Sequence, residues 1–221
     1  MKLALTADLH GMHQQVTIPK ADVLVVAGDV TGHGEWYEVE NFIEWVKQQP
    51  VDQCVFIAGN HDRCLSNPNV LRDSPYKEEL AEDYSIHYLQ DSSIVINGIH
   101  FYGSPWTPQF MNWSFMYERE SEEAELIWNE IPSDVDILIT HGPPKYVLDR
   151  SFYNIMGYTQ DCGCEVLADK IRELEPPVHC YGHIHECYGQ AMMPPISTQF
   201  INASACTLDY RPTNKPVLIE V

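Results

Sequence analysis

An α/β fold is predicted by three features of the sequence. Short apolar runs alternate with amphipathic helical patterns along the 221 residues. Many of the runs end in Asp, Asn or His with a glycine close by, and open α/β sheets carry their sites where strand carboxyl ends and their loops converge. A hydrophobic content of 44% can fill one sizeable core, and no stretch reads as a linker, so residues 1–221 are expected to form a single domain.

The elements follow in order. Leu3–Ala7 and Val23–Ala27 are β-branched-leaning runs that exit into Asp8 and Asp29. Within Glu35–Gln49, Val39, Phe42, Ile43 and Val46 fall at i, i+3, i+4 and i+7, which predicts an amphipathic helix stopped by Pro50. Cys54–Ala58 is a buried-type strand ending at Gly59-Asn60. Ile94–Ile96 and Ile99–Tyr102 flank Asn97-Gly98, the signature of a type I′ hairpin. Ser104–Tyr117 is rich in Trp, Pro and Phe, which suits a structured loop. A helix is expected near Ser121–Asn129, then a strand Ile137–Thr140 leading to His141. Val166, Leu167, Ile171 and Leu174 mark a further amphipathic helix before Pro176-Pro177, and Val178–Tyr181, Gln199–Asn202 and Val217–Val221 read as late strands.

Charge narrows the function. With 13 basic and 32 acidic residues the chain carries −19 at pH 7. Such a field repels phosphate backbones and anionic membranes, so stable binding to nucleic-acid polymers or to a membrane is not expected. No apolar run approaches the ~20 residues of a spanning helix, and Met1-Lys2-Leu3 opens a strand rather than a signal peptide. Seven scattered cysteines are an odd number, which fits reduced thiols and a cytoplasmic setting. Cys162-Gly163-Cys164 lacks a second pair and is read as structural.

Five short blocks carry chemistry. They are Asp8-Leu9-His10, Gly28-Asp29, Gly59-Asn60-His61-Asp62, Thr140-His141-Gly142 and Gly182-His183-Ile184-His185. In extended backbone, i and i+2 point to one side, so the D-x-H and H-x-H pairs can each offer two side chains to one centre. Carboxylate, amide oxygen and imidazole together suit a borderline divalent metal, and the lack of thiolates argues against a structural zinc knuckle. His33, His87, His100 and His179 match no block and read as surface or core residues, and His13 as a loop residue. Glu118, Glu120, Glu122, Glu123 and Glu125 read as a solvated helix face. Two features stay open. Arg63 can fork onto a phosphate oxygen or pair with a carboxylate. Trp106, Trp113 and Phe115 can stack a nucleobase or pack into the fold.

The five blocks, in this order, resemble the signature of the calcineurin-like metallophosphoesterase superfamily and span residues 8 to 185. Gly103-Ser104-Pro105-Trp106-Thr107-Pro108 and Ile201-Asn202-Ala203-Ser204 further resemble its metallophosphoesterase-domain-containing branch, which is similar to class III phosphodiesterases. The resemblance implies a four-layer α/β/β/α sandwich and two divalent metal ions, with Mn foremost and Fe, Zn, Co or Ni as other choices. It assigns Asp8, His10 and His185 to one metal, Asn60, His141 and His183 to the other, and Asp29 to both. It places His61 at the substrate as general acid or oxyanion stabiliser with Asp62 orienting its ring, and Asn202 close to the metals. The implied reaction is hydrolysis of a small phosphodiester, such as a cyclic nucleotide, by a hydroxide held between the metals. A nucleotide phosphomonoesterase and a low-turnover nucleotide-binding scaffold are the alternatives, and an oligomer is compatible with each.

Overall fold

The computed structural model describes residues 1–66, 85–152 and 159–221. Its first sheet joins β1 (Lys2–Thr6), β2 (Ala21–Ala27), β3 (Val51–Ile57), β4 (Ile86–Tyr88) and β15 (Val217–Glu220) in the order β15-β1-β2-β3-β4. β1 to β4 run parallel and β15 pairs antiparallel with β1. The second sheet joins β5 (Ser92–Ile96), β6 (Ile99–Ser104), β9 (Ile137–Thr140), β12 (Val178–Tyr181), β13 (Gly189–Met192) and β14 (Gln199–Asn202) in the order β13-β14-β12-β9-β6-β5. Its four central strands are parallel, and β5 and β13 run antiparallel at the edges. Two short pairs, β7 (Thr107–Pro108) with β8 (Met116–Tyr117) and β10 (Arg150–Ser151) with β11 (Gln160–Asp161), decorate the loops.

Strand periodicity decides what each face buries. Val23, Val25 and Ala27 of β2, with Val55 and Ile57 of β3, meet Phe101, Ile137, Ile139, Cys180 and Ile201 of the second sheet in one dry cluster. The alternate residues Leu24, Val26, Cys54 and Phe56 pack against Val39, Phe42, Ile43 and Val46 of α1 (Trp36–Val46). On the far side, Tyr102, Leu138, Tyr181 and Phe200 pack against Ala124 and Trp128 of α2 (Glu122–Asn129) and Leu167 and Ile171 of α3 (Glu165–Leu174). Three apolar clusters thus form, one against α1, one shared by the two sheets and one against α2 and α3.

Local chemistry accounts for the boundaries. Glu35 caps α1 in a reciprocal box with Glu38. The helix stops at Val46 rather than Gln49 because Gln48 and Gln49 donate to carbonyls only three residues back, a tightening last turn before Pro50. Ser121 caps α2 through its side chain, and the Cys164 thiol does so for α3. At the hairpin, Asn97 and Gly98 both take positive φ, 51° and 86°, as a type I′ turn requires. All seven cysteines are free, and no helix among the described residues is long and apolar enough to cross a membrane.

One connection shapes the site. Ala7, just past β1, forms a parallel bridge to Ser204, just past β14, through Ala7 N–H to the Ala203 carbonyl at 2.9 Å and Ala205 N–H to the Ala7 carbonyl at 2.8 Å. The two sheets are thus stitched together at their carboxyl ends, where every block of the signature emerges.

Candidate metal centre

The strand exits set the site residues in place. Asp8 follows β1, Asp29 follows β2, Asn60 and His61 follow β3, His141 follows β9, and His183 and His185 follow β12. Asp8, His10, Asp29 and His183 all have positive φ, between 44° and 69°. Such backbone is costly for a residue with a Cβ and persists only where its surroundings hold it, typically at functional sites. Neighbouring glycines make room. A Cβ at Gly59 would collide with Asp29 Oδ1, and one at Gly182 with Asp8 Oδ2.

The side chains converge as acceptors. Among the described residues, three groups have ligand atoms within 4.8 Å of one another: Asp8, His10 and His185; His10, Asp29 and His61; and Asp8, Asp29 and His141. His10 Nε2 stands 3.1 Å from His185 Nε2, and His141 Nε2 is 3.0 Å from Asn60 Oδ1. Asp29 splits its carboxylate between two tasks. Oδ1 accepts from the His61 backbone N–H at 2.8 Å, while Oδ2 faces His141 Nε2 at 3.3 Å and His10 Nε2 at 3.8 Å. The His183 ring lies beside that of His141, centroids 5.0 Å apart, outside the three tight groups, and its backbone N–H donates to Asp8.

Backbone carbonyls select the tautomers. Nδ1 of His141 lies 3.0 Å from the Ala27 carbonyl, Nδ1 of His185 3.1 Å from that of Thr207, and Nδ1 of His61 3.1 Å from that of Gly32. A carbonyl only accepts, so each Nδ1 carries the proton and each neutral ring turns the Nε2 lone pair inward. This is how metal-ligating imidazoles are held. Lone pairs and carboxylates facing each other at 3.0–3.8 Å need positive charge between them. In the metal-free chain protons supply part of it. Burial opposes protonation of His141, but the Asp29 and Asp8 carboxylates outweigh it and raise the ring to about 9. Burial also disfavours the charged form of Asp29, yet the charge and hydrogen bond of His141 and the charge of His10 hold that carboxyl below its usual range. Burial leaves His10 at about 4 and His183 at about 3, neutral and free to coordinate. The donor set fits divalent cations.

Support comes from residues outside the blocks. Ser204 Oγ donates to Asp8 Oδ2 at 2.6 Å, and Ser204 in turn is fixed by Asn202, whose Oδ1 accepts from Ser204 N–H and whose Nδ2 donates to the Ile184 carbonyl. Asn202 therefore braces the loop carrying His183 and His185. Ser204→Ala should weaken divalent metal binding by about 10–100-fold, as loss of a ligand-orienting partner commonly does. Isothermal titration with Mn²⁺ checks this, and an unchanged affinity would deny Ser204 its role.

Asp62 corrects one expectation. Its carboxylate makes no hydrogen bond to the His61 ring; it accepts from the backbone N–H groups of Val30, Thr31 and Gly59 and from Thr31 Oγ1. The reason is that Asp62 is buried and turned toward the loops after β2 and β3, which it clamps together, while Gly32 orients His61. His61 is also stacked on Trp113, with centroids 4.4 Å apart and planes at 25°. The Arg63 guanidinium lies 4.9 Å from the same indole, and Arg63 makes no ion pair among the described residues. Ser114 N–H to the Asn60 carbonyl, 3.3 Å, tethers this loop to the block. Trp106 and Phe115 do not reach the imidazoles. Phe115 is buried in the α1 core with Trp106 edge-on to it, and the Trp106 N–H donates to Asp91.

Four of the remaining histidines have partners outside the cluster. His179 is buried against Thr140, His87 faces Gln53 and His100 pairs with Asp134. His13, expected in a loop, sits in a short 3-10 turn and is buried against Phe42 and Trp45. Tyr210 was invisible in the motif reading. Its ring stands 4.8 Å from His10 and 5.4 Å from His185, and its only sequence signal is a large aromatic in a turn after the last ligand-bearing segment.

This geometry defines a class. Residues 1–187 match the family model for Calcineurin-like phosphoesterase, and the chain belongs to that family, whose members are metal-dependent phosphoester hydrolases. Among curated proteins it is 36% identical to human metallophosphoesterase domain-containing protein 1, over all of this chain and 71% of that one, with the same figures for the mouse protein. It is 30% identical to UPF0046 protein K07C11.7 of Caenorhabditis elegans, covering all of this chain and 75% of that protein. The fold is similar to that of phosphopantetheinyl hydrolase from Mycobacterium tuberculosis, with a TM-score of 0.63, 14% identity and coverage of 98% and 95% of the two chains. It is likewise similar to TT1561 of Thermus thermophilus, with a TM-score of 0.61, 12% identity and coverage of 91% and 88%.

Proposed function

We propose that this chain is a phosphodiesterase for small phosphodiesters, such as cyclic nucleotides or other nucleotide-derived diesters, working with two divalent cations, Mn²⁺ foremost. The observation that carries the reading is the position of Asp29 Oδ2, faced at 3.3 and 3.8 Å by imidazole nitrogens of two separate ligand sets. Asp8, His10 and His185 would hold one cation, Asn60, His141 and His183 the other, and Asp29 both. When bound, such a pair supplies a nucleophilic water at neutral pH and neutralises the phosphoryl oxygens.

The chain's own residues do the rest. His61 keeps its Nδ1 proton on the Gly32 carbonyl, so Nε2 is the ring nitrogen left to take up a second proton. From there it can pass to the leaving oxygen. Trp113 stacks on the ring and limits its rotation, which makes Trp113 a positioning residue. Arg63 adds a cation beside this stack, where an incoming phosphate oxygen can meet its donors.

Charge favours a small substrate. A chain of −19 repels a polyanion at each unpartnered phosphate, whereas a monomeric diester brings about one charge to a site that cations render locally positive. A soluble cytoplasmic setting without membrane or nucleic-acid partners accords with this charge. The test compares bis(p-nitrophenyl) phosphate with p-nitrophenyl phosphate in Mn²⁺. A higher kcat/KM for the diester is expected, and preference for the monoester would replace this reading by that of a phosphomonoesterase.

A further inference from the structure

The phosphoester reading leaves one aromatic side chain at the site without a task. Tyr210 is 48% exposed, yet its ring is edge-on to His10 at 4.8 Å and 67° and to His185 at 5.4 Å and 79°, with His61 at 6.3 Å. A large ring so placed borders the ligand cluster on one side and is open on the other. Its backbone is held in that pose. Tyr210 has φ of 55°, and its N–H donates to the Thr207 carbonyl at 2.8 Å. The same carbonyl takes the Nδ1 proton of His185. Thr207 N–H donates to the Arg211 carbonyl, which closes the turn. One tight turn thus orients a ligand imidazole and presents an aromatic surface next to it. Left-handed backbone at a tyrosine needs this kind of enforcement.

The other aromatics of the site are already engaged: Trp113 with His61 and Arg63, and Phe115 with the core. Tyr210 alone among them combines proximity to the ligand imidazoles with a free surface.

We propose that Tyr210 is a specificity-determining residue that stacks on a planar aromatic or heteroaromatic substituent of the phosphoester, so that the substrates are aryl-bearing or base-bearing esters rather than purely aliphatic ones. The proposal rests on the phosphoester reading and deepens it. An aromatic pair favours offset or edge-on contact with a ring centroid a few ångströms away, and this selects by shape without requiring hydrogen-bond readout.

Phenylphosphonate and methylphosphonate test it, because they carry the same anion, differ in the ring and are not hydrolysed. Their affinities for the Mn²⁺-loaded chain are measured by calorimetry on the wild type and on Tyr210→Phe and Tyr210→Leu. The wild type should bind phenylphosphonate about tenfold tighter, Tyr210→Phe should keep that ratio, and Tyr210→Leu should bring it within about twofold. Mn²⁺ content should be unchanged in each variant. Equal weakening of both anions in Tyr210→Leu would show that the ring only supports His10 and His185. Equal weakening in Tyr210→Phe would show that the hydroxyl grips the phosphoryl group instead. Either result overturns the proposal. No preference for the ring in the wild type does so as well. Failure of the wild type to bind either anion would strike the phosphoester reading itself, and the proposal with it.

Discussion

Asp29→Asn should abolish most of the activity, with kcat/KM for a phosphodiester falling by at least about 10³-fold, while the chain stays folded. The magnitude follows from removing the shared charge of two cation sites, where several kcal/mol of transition-state stabilisation is at stake and each ~1.4 kcal/mol is a factor of ten. The fold should survive because asparagine keeps Oδ1, the acceptor for the His61 backbone N–H. Its new amide N–H groups also point at His141 and His10, where the carboxylate faced them before. His141 then loses the carboxylate that favours its charged form, and its neutral Nε2 can accept from the new amide. Thermal melting should therefore show a cooperative transition with a Tm near or moderately below that of the metal-free wild type. Near-normal activity in this variant would show that Asp29 is not shared between two cations.

His61→Ala has the second largest expected effect. Its ring is not needed to complete the two cation sets, so metal content should persist while kcat falls by roughly 10²–10⁴-fold, the usual worth of a positioned general acid. The loss should depend on the leaving group. For a p-nitrophenyl ester the departing oxygen scarcely needs a proton, and the deficit should shrink. For an alkyl leaving group, as in a cyclic nucleotide, it should be full. Equal deficits with both would leave His61 only an electrostatic role.

Much of this architecture was legible because it is local. Asn97-Gly98 is read correctly since a type I′ turn needs two positive φ values and few residues supply them. β9, β12 and β14 were readable to the residue as short apolar runs. β4 and β13 were not, because Ile86-His87-Tyr88 is too short for a period and Gly189-Gln190-Ala191-Met192 has little apolar alternation. The ligand blocks were equally local, each beginning within two residues of a strand end.

What escaped reading depends on distant contacts. Ser204 meets Asp8 across 196 positions, and nothing in either neighbourhood announces it. Asp62 next to His61 suggested a pair, but adjacent residues do not share a direction, and backbone N–H groups of its own loop and of the loop after β2 claimed the carboxylate. The aromatic run divided for the same reason: Trp113 reaches His61 while Phe115, two residues on, turns into the core.

The central claim is that the inward-facing acceptors are built for two divalent cations sharing Asp29. Elemental analysis of the purified chain, stripped with chelator, reloaded with Mn²⁺ and desalted, tests this most directly. Two metal ions per chain are expected for the wild type and no more than one for Asp29→Asn. Well under one ion per wild-type chain after loading would contradict the account.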